Sequence, residues 1–120
     1  MAGFRDLKVW QMAKSLSVAV YRETRKGQWS LDRGLQDQIR RAAVSVPSNI
    51  AEGDARKSQK DSIRFFYISL GSLAELSTQL EIASEIDCID RDSHQILQDS
   101  IRQLESSLGA LIKKRKESLD

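Results

Sequence analysis

Apolar side chains recur along the chain at steps of three and four residues, in four runs parted by short polar breaks. Such steps line one face of a helix, and no stretch shows the sustained alternation that marks a strand. The first run spans 6–26. Val9, Ala13, Leu16 and Val20 step by 4, 3 and 4, Trp10 and Tyr21 widen the stripe, and Gly27 is placed to end the helix. The second begins near Ser30, a residue suited to capping, and carries Leu35, Ile39, Ala42 and Val46. The third starts at Ser58, with Asp61 as a short stand-in for the glutamate of a capping box. It continues through Ile63, Phe66, Leu70, Leu73, Ser77 and Leu80. The fourth starts near Asp90 or Asp92 and repeats Leu97, Ile101, Leu104, Leu108 and Leu111 as a bundle seam. It ends in the cations 113–116, which the negative end of a helix dipole favours. Four helices of about 20 to 30 residues with short connections predict an all-α fold. The expected architecture is an antiparallel up-and-down four-helix bundle, a single domain over residues 1–120.

One stretch within the second run looks foreign to a helix. "SVPSNIAEG", residues 45–53, holds a proline, an asparagine and a glycine within seven residues. Yet the apolar phase continues from Val46 to Asn49 or Ile50 and on to Gly53. A loop has no reason to keep phase, so one helix kinked at Pro47 is expected rather than two helices. Proline there frees the carbonyl of Ala43, and Ser48 and Asn49 are candidates to satisfy freed backbone groups. Gly53 is expected to end the helix in a left-handed cap. Small residues on this run are expected to meet others in mid-run three: Gly71, Ser72 and Ala74. An interior glycine costs about 1 kcal/mol against alanine. Close packing of helices two and three around the kink would offset that cost.

The totals add constraints. The longest apolar run is a few residues, too short to cross a membrane, and the first ten residues lack a signal-peptide apolar region, which predicts a cytoplasmic protein. Cys88 and His94 each occur once. One cysteine forms no internal disulfide, and the two residues lack the further soft ligands of a metal site. Cys88 reads as a small apolar residue near a helix end and His94 as a solvent-facing one without a partner. Net charge is only +2 but unevenly placed. Residues 1–64 carry 13 Lys/Arg against 7 Asp/Glu, residues 65–112 carry 2 against 8, and the last eight carry 4 against 2. This asymmetry fits an acidic partner, self-association between opposite faces, or charge pairing between neighbouring helices.

Catalytic signatures do not emerge: there is no Gly-rich phosphate loop, nucleophile elbow or zinc motif, and no cofactor or metal is expected. The carboxylates Glu52 and Glu75 could face the bundle interior, or serve an ion pair with an arginine at the kink. The basic residues are the stronger lead. Arg40 and Arg41 lie on helix two, Arg56 and Lys57 in the following turn, Lys60 and Arg64 on helix three. Positions 57, 60 and 64 share a helix face, and phosphate would be welcome at that helix start. Asp54 and Asp61 among them fit a solvated face equally.

Three segments carry a family resemblance: "FRDLKVWQMA" near the start, "QIRRAAVSVPSNIAEG" at 38–53 and "FYISLGSLAELSTQLEIASE" at 66–85. In the same order and over nearly the whole chain, they resemble the four-helix-bundle 23S ribosomal RNA intervening-sequence proteins. That family is in turn similar to the accessory variability protein of diversity-generating retroelements, a pentameric barrel that binds nucleic acid and a reverse transcriptase. The resemblance implies a bacterial cytoplasmic homo-oligomer, a pentamer. It also implies RNA or DNA binding through basic residues, and a protein partner such as a reverse transcriptase. It brings Arg40 and Arg41 within the matching motif and no catalytic residue. Two classes of function follow: a non-enzymatic nucleic-acid-binding assembly, or a protein–protein adaptor using residues off the seams such as Trp29, Phe65 and Tyr67.

Overall fold

The computed structural model describes residues 3–119. Four helices account for most of them: α1 Lys8–Glu23, α2 Arg33–Asp54, α3 Gln59–Glu85 and α4 Arg91–Glu117. Short 3-10 turns, Phe4–Asp6 and Gly27–Leu31, precede α1 and α2. Each helix packs on the next, α1 closes on α4, and the α2–α3 interface is the most extensive. The result is an up-and-down bundle measuring 49 × 21 × 20 Å. No described helix is long and apolar enough to cross a membrane.

The periodic stripes form the core. Val9, Ala13, Leu16 and Val20 of α1 are buried against Ile39, Ala42, Val46 and Ile50 of α2 and the seams of α3 and α4. The α4 seam shifts phase at its end: Ile112 is buried where Leu111 was expected, and Leu111 only packs against the core. A straight helix drifts against a seven-residue repeat, so the buried position moves on by one. Trp29 is also corrected. It is fully buried inside the Gly27–Leu31 turn, not an outward-facing contact residue, and its Nε1 donates to Glu23 Oε2 at 3.3 Å.

Helix ends are set by side-chain caps. Ser58 Oγ accepts from the Asp61 amide at 3.1 Å, starting α3 as its sequence predicts. Asp90 rather than Asp92 caps α4, accepting from the Ser93 amide at 2.8 Å. Asp32, not Ser30, caps α2, accepting from the Leu35 amide at 3.0 Å. Ser30 turns back to the Gly27 carbonyl instead. The expected ends of α1 also move. α1 has 16 residues and stops at Glu23, where Thr24 Oγ1 donates to the Val20 carbonyl, and Gly27 begins the next turn. Asp87 ends α3 in the left-handed region at φ 63°. There the Cys88 amide reaches back to the Ala83 carbonyl at 2.9 Å, the closing bond of a Schellman turn. Cys88 is buried, and burial first, then Asp32 and Asp87, push its thiol up from the ordinary range.

α2 runs unbroken through Pro47, as its preserved apolar phase predicts. The partner of the freed Ala43 carbonyl comes from another helix. Ser17 Oγ on α1 donates to it at 2.7 Å. Ser48 is exposed. Asn49 Nδ2 donates to the carbonyl of Ser45 at 2.8 Å and to its hydroxyl at 2.9 Å, so, contrary to expectation, it does not serve the carbonyl that proline frees. From α3, Ser69 Oγ donates to the Val46 carbonyl at 2.9 Å, and Ser72 Oγ shares a 2.8 Å bond with Ser45 Oγ. Serines of both neighbouring helices therefore surround the proline turn.

Gly53 differs from its expected role. It lies inside α2, and no described glycine has a positive φ. Its lack of a side chain serves close approach instead. A Cβ there would stand 2.8 Å from Phe66 Cε1 and 3.0 Å from Phe65 Cβ. Gly71, expected at the α2–α3 contact, faces open space, and Ala74 is exposed beside it. The tight contact thus runs through Gly53, Ser69 and Ser72. Glu52 and Glu75 do not face the interior; both are exposed, and Glu52 pairs with Arg56 at 3.0 Å.

Candidate nucleic-acid interface

Antiparallel packing brings four segments to one end of the bundle: the start of α1, the α2–α3 turn, the start of α3 and the end of α4. Arg115 ties this end together. Its guanidinium lies 3.5 Å from Asp54 Oδ1, donates to Gln59 Oε1 at 3.0 Å, and sits 5.4 Å over the Phe66 ring. The four segments gather ten Lys/Arg (5, 8, 56, 57, 60, 64 and 113–116) against five described carboxylates (6, 52, 54, 61 and 117). At the opposite end, five cations (22, 25, 26, 33 and 91) meet eight carboxylates (23, 32, 37, 81, 85, 87, 90 and 92). The charge imbalance along the sequence becomes a charge separation along the 49 Å axis.

The expected basic residues divide accordingly. Arg56, Lys57, Lys60 and Arg64 stand together at the basic pole, all exposed. Arg56 is engaged by Glu52 and, at 3.7 Å, by Asp61. Arg64 meets Asp61 at 3.1 Å, and both guanidiniums lie over the Phe65 ring, at 4.4 and 4.5 Å. Lys57 and Lys60 form no ion pair within 4.0 Å among the described residues. Arg40 and Arg41 lie elsewhere: at 1.5 Å per residue, roughly 21 Å of helix separates Arg40 from Asp54. Arg40 Nε donates to Thr24 Oγ1 at 2.8 Å and its guanidinium covers the Tyr21 ring at 4.8 Å, so it fastens α2 to the end of α1. Arg41 is exposed.

The pole also holds residues that the periodicity of single helices does not single out. Lys113, Lys114 and Lys116 suit the helix dipole, but the antiparallel fold also sets them beside the start of α3. Lys116 Nζ lies 5.0 Å over the Tyr67 ring. An open groove of about 830 Å³ follows this side of α3, lined by Ser58, Lys60, Asp61, Ile63, Arg64, Tyr67 and Ile68.

Nothing comparable surrounds His94. It is half-buried rather than open to solvent, and it has partners: Nε2 lies 3.3 Å from Glu81 Oε2 and 3.2 Å from Gln98 Nε2. Gln98 in turn bonds Ser77. These are links between α3 and α4. Among the described residues no three His, Cys, Asp or Glu side chains are placed to hold a metal.

Residues 5–110 match the family described as 23S rRNA-intervening sequence protein. The chain belongs to that family. A solved structure from Bacteroides thetaiotaomicron, a protein of unknown function from the S23 ribosomal protein family, has the same fold at a TM-score of 0.81. The two are 22% identical, over 88% of this chain and 98% of that one. None of the curated proteins matches. The family match contains the α2 proline stretch and the start of α3, and it stops before the cations 113–116. Half of the basic pole's lysines therefore belong to a segment outside the matched region.

Proposed function

We propose that this family member is a non-enzymatic nucleic-acid-binding protein that meets phosphate at its basic pole. The observation carrying this reading is the gathering of ten cations against five described carboxylates at one bundle end. Lys57, Lys60, Lys113, Lys114 and Lys116 contribute most of its uncompensated charge, with Arg64 at its edge. Arg40 acts through the fold, and Arg41 contributes at most at long range. Binding of this kind releases counterions, so the logarithm of affinity falls linearly with the logarithm of salt. Titrating RNA and DNA, single-stranded and duplex, against the protein from low to physiological salt tests it. Lys57→Ala with Lys60→Ala should lower the salt slope by about two, one for each phosphate that is no longer neutralised. No binding to either nucleic acid at low salt would sink the reading.

A second observation favours self-association, in line with the pentamer that the family resemblance implies. The middle of α3 is largely uncharged on its outer side as well as its inner side: Gly71, Ala74, Thr78 and Ile82 lie outward, with Glu75 and Glu81 the charges among them. A helix apolar on both sides is usually covered on both. Light scattering should give a multiple of 13.6 kDa, and a monomer mass would contradict it. The same face serves an adaptor that binds another protein, a reverse transcriptase among the candidates, if nucleic-acid binding fails.

A further inference from the structure

The basic pole is also the aromatic pole. Five of the seven aromatic residues, Phe4, Trp10, Phe65, Phe66 and Tyr67, lie in the segments that build it. Four of these rings are already occupied. Phe66 is fully buried, Phe65 carries two guanidiniums, and Phe4 and Trp10 pack edge to face at 5.1 Å. Tyr67 is different. It is 46% exposed, it borders the open groove, and the Lys116 ammonium rests over its ring. That ammonium ends a flexible chain on the surface and can swing aside to a phosphate without disturbing the fold.

We propose that this groove binds a single-stranded segment of nucleic acid, with an unpaired base stacked on Tyr67 and the flanking phosphates held by Lys60, Arg64 and Lys116. The inference rests on the phosphate-binding reading above and deepens it. Lys60, Arg64 and Tyr67 fall at steps of four and three on one face of α3, about 10 Å from end to end at the helical rise. Two cations thus lead up to the ring along a single line, and Lys116 of α4 stands over its face. Ile68 beside it gives the groove a partly apolar floor, where a base gains more than a phosphate would. A duplex keeps its bases stacked on each other and offers nothing to the ring. Base–aromatic stacking tolerates any sequence, because every base has a π-face. The groove therefore selects for strandedness rather than for sequence.

Fluorescence anisotropy with fluorescent polyuridylate, polythymidylate and an RNA duplex of equal length, at one low salt concentration, tests this. Either single strand should bind more tightly than the duplex. Tyr67→Ala should weaken single-strand binding roughly ten-fold or more and leave duplex binding unchanged, while Tyr67→Trp retains it. Lys60→Ala should weaken binding of all three probes. Unchanged single-strand binding by Tyr67→Ala, or tighter binding of the duplex by the native protein, overturns the stacking site while leaving phosphate binding in place. Absence of binding to all three probes overturns both. Light scattering on Tyr67→Ala completes the test: if the substitution breaks up a native assembly, the ring belongs to an interface between copies and the proposal is wrong.

Discussion

Gly53 and Gly71 look alike in the sequence, each a glycine within a helical run, and the structure gives them opposite meanings. A methyl group at 53 would press into the fully buried Phe66 ring at 2.8 Å, so the ring or the helix must shift. Gly53→Ala should destabilise by about 1–3 kcal/mol, the usual cost of overpacking. Gly71 opens to solvent, so Gly71→Ala should stabilise the monomer by about 0.5–1 kcal/mol through helix propensity. Thermal melts of the two variants check both signs. Pro47 yields a second prediction. Ser17→Ala would strand the buried Ala43 carbonyl that proline leaves free, at about 1–3 kcal/mol. Pro47→Ala restores an amide to that carbonyl, so Ser17→Ala should cost less in that background. A double-mutant cycle by denaturant melts should show this coupling; equal costs in both backgrounds would mean that Ser17 does not serve the proline turn.

At the level of the helices, most of the fold was legible because apolar periodicity is a local signal that tertiary packing reinforces. The stripe of α1, most of that of α2 and the Ser58 cap follow directly from spacing, whereas in α3 Leu76 and Ala83 are fully buried and the expected Leu70 and Ser77 only half-buried. The misplaced helix ends have a common cause. Ser30, Gly27 and Gly53 have residue types suited to helix ends, but the positions that serve are Asp32, Thr24 and Ala55, which packing selects. The Ser17–Ala43 contact joins residues 26 apart and leaves no local trace beyond a serine beside an apolar stripe. Asp90, by contrast, is readable and testable. The Ser93 amide, then its hydroxyl, hold the Asp90 carboxyl below its ordinary range. A depressed carboxyl contributes stability that is present above the usual carboxylate pKa of about 4 and lost as pH falls through the folded value. Stability should therefore decline in acid, and Asp90→Asn should remove part of that decline while keeping the cap. Chemical denaturation from neutral to acidic pH measures it; parallel curves for the two proteins would mean that Asp90 has no share in the decline.

Across the whole molecule, the charge separation emerges only when the helices are folded against one another. The sequence has a basic first half, an acidic middle and a basic end, and the antiparallel order places the basic end beside the start of α3. The contribution of Lys116 and its neighbours was readable from topology, since the last helix of an up-and-down bundle must end where the third begins. Sequence spacing alone grouped Arg40 with Arg56, although α2 keeps them at different ends. If the basic pole, rather than net charge, binds nucleic acid, two variants of equal net charge should behave differently. Lys57→Ala with Lys60→Ala removes two cations from the basic pole, and Arg25→Ala with Arg33→Ala removes two exposed cations from the other. The deciding titration is a single-stranded RNA against both variants across a range of salt. The pole variant should lose affinity and about 1.4 units of salt slope, with the opposite variant close to the native protein. Equal weakening of the two, or none in either, would contradict the assignment of the site to this pole.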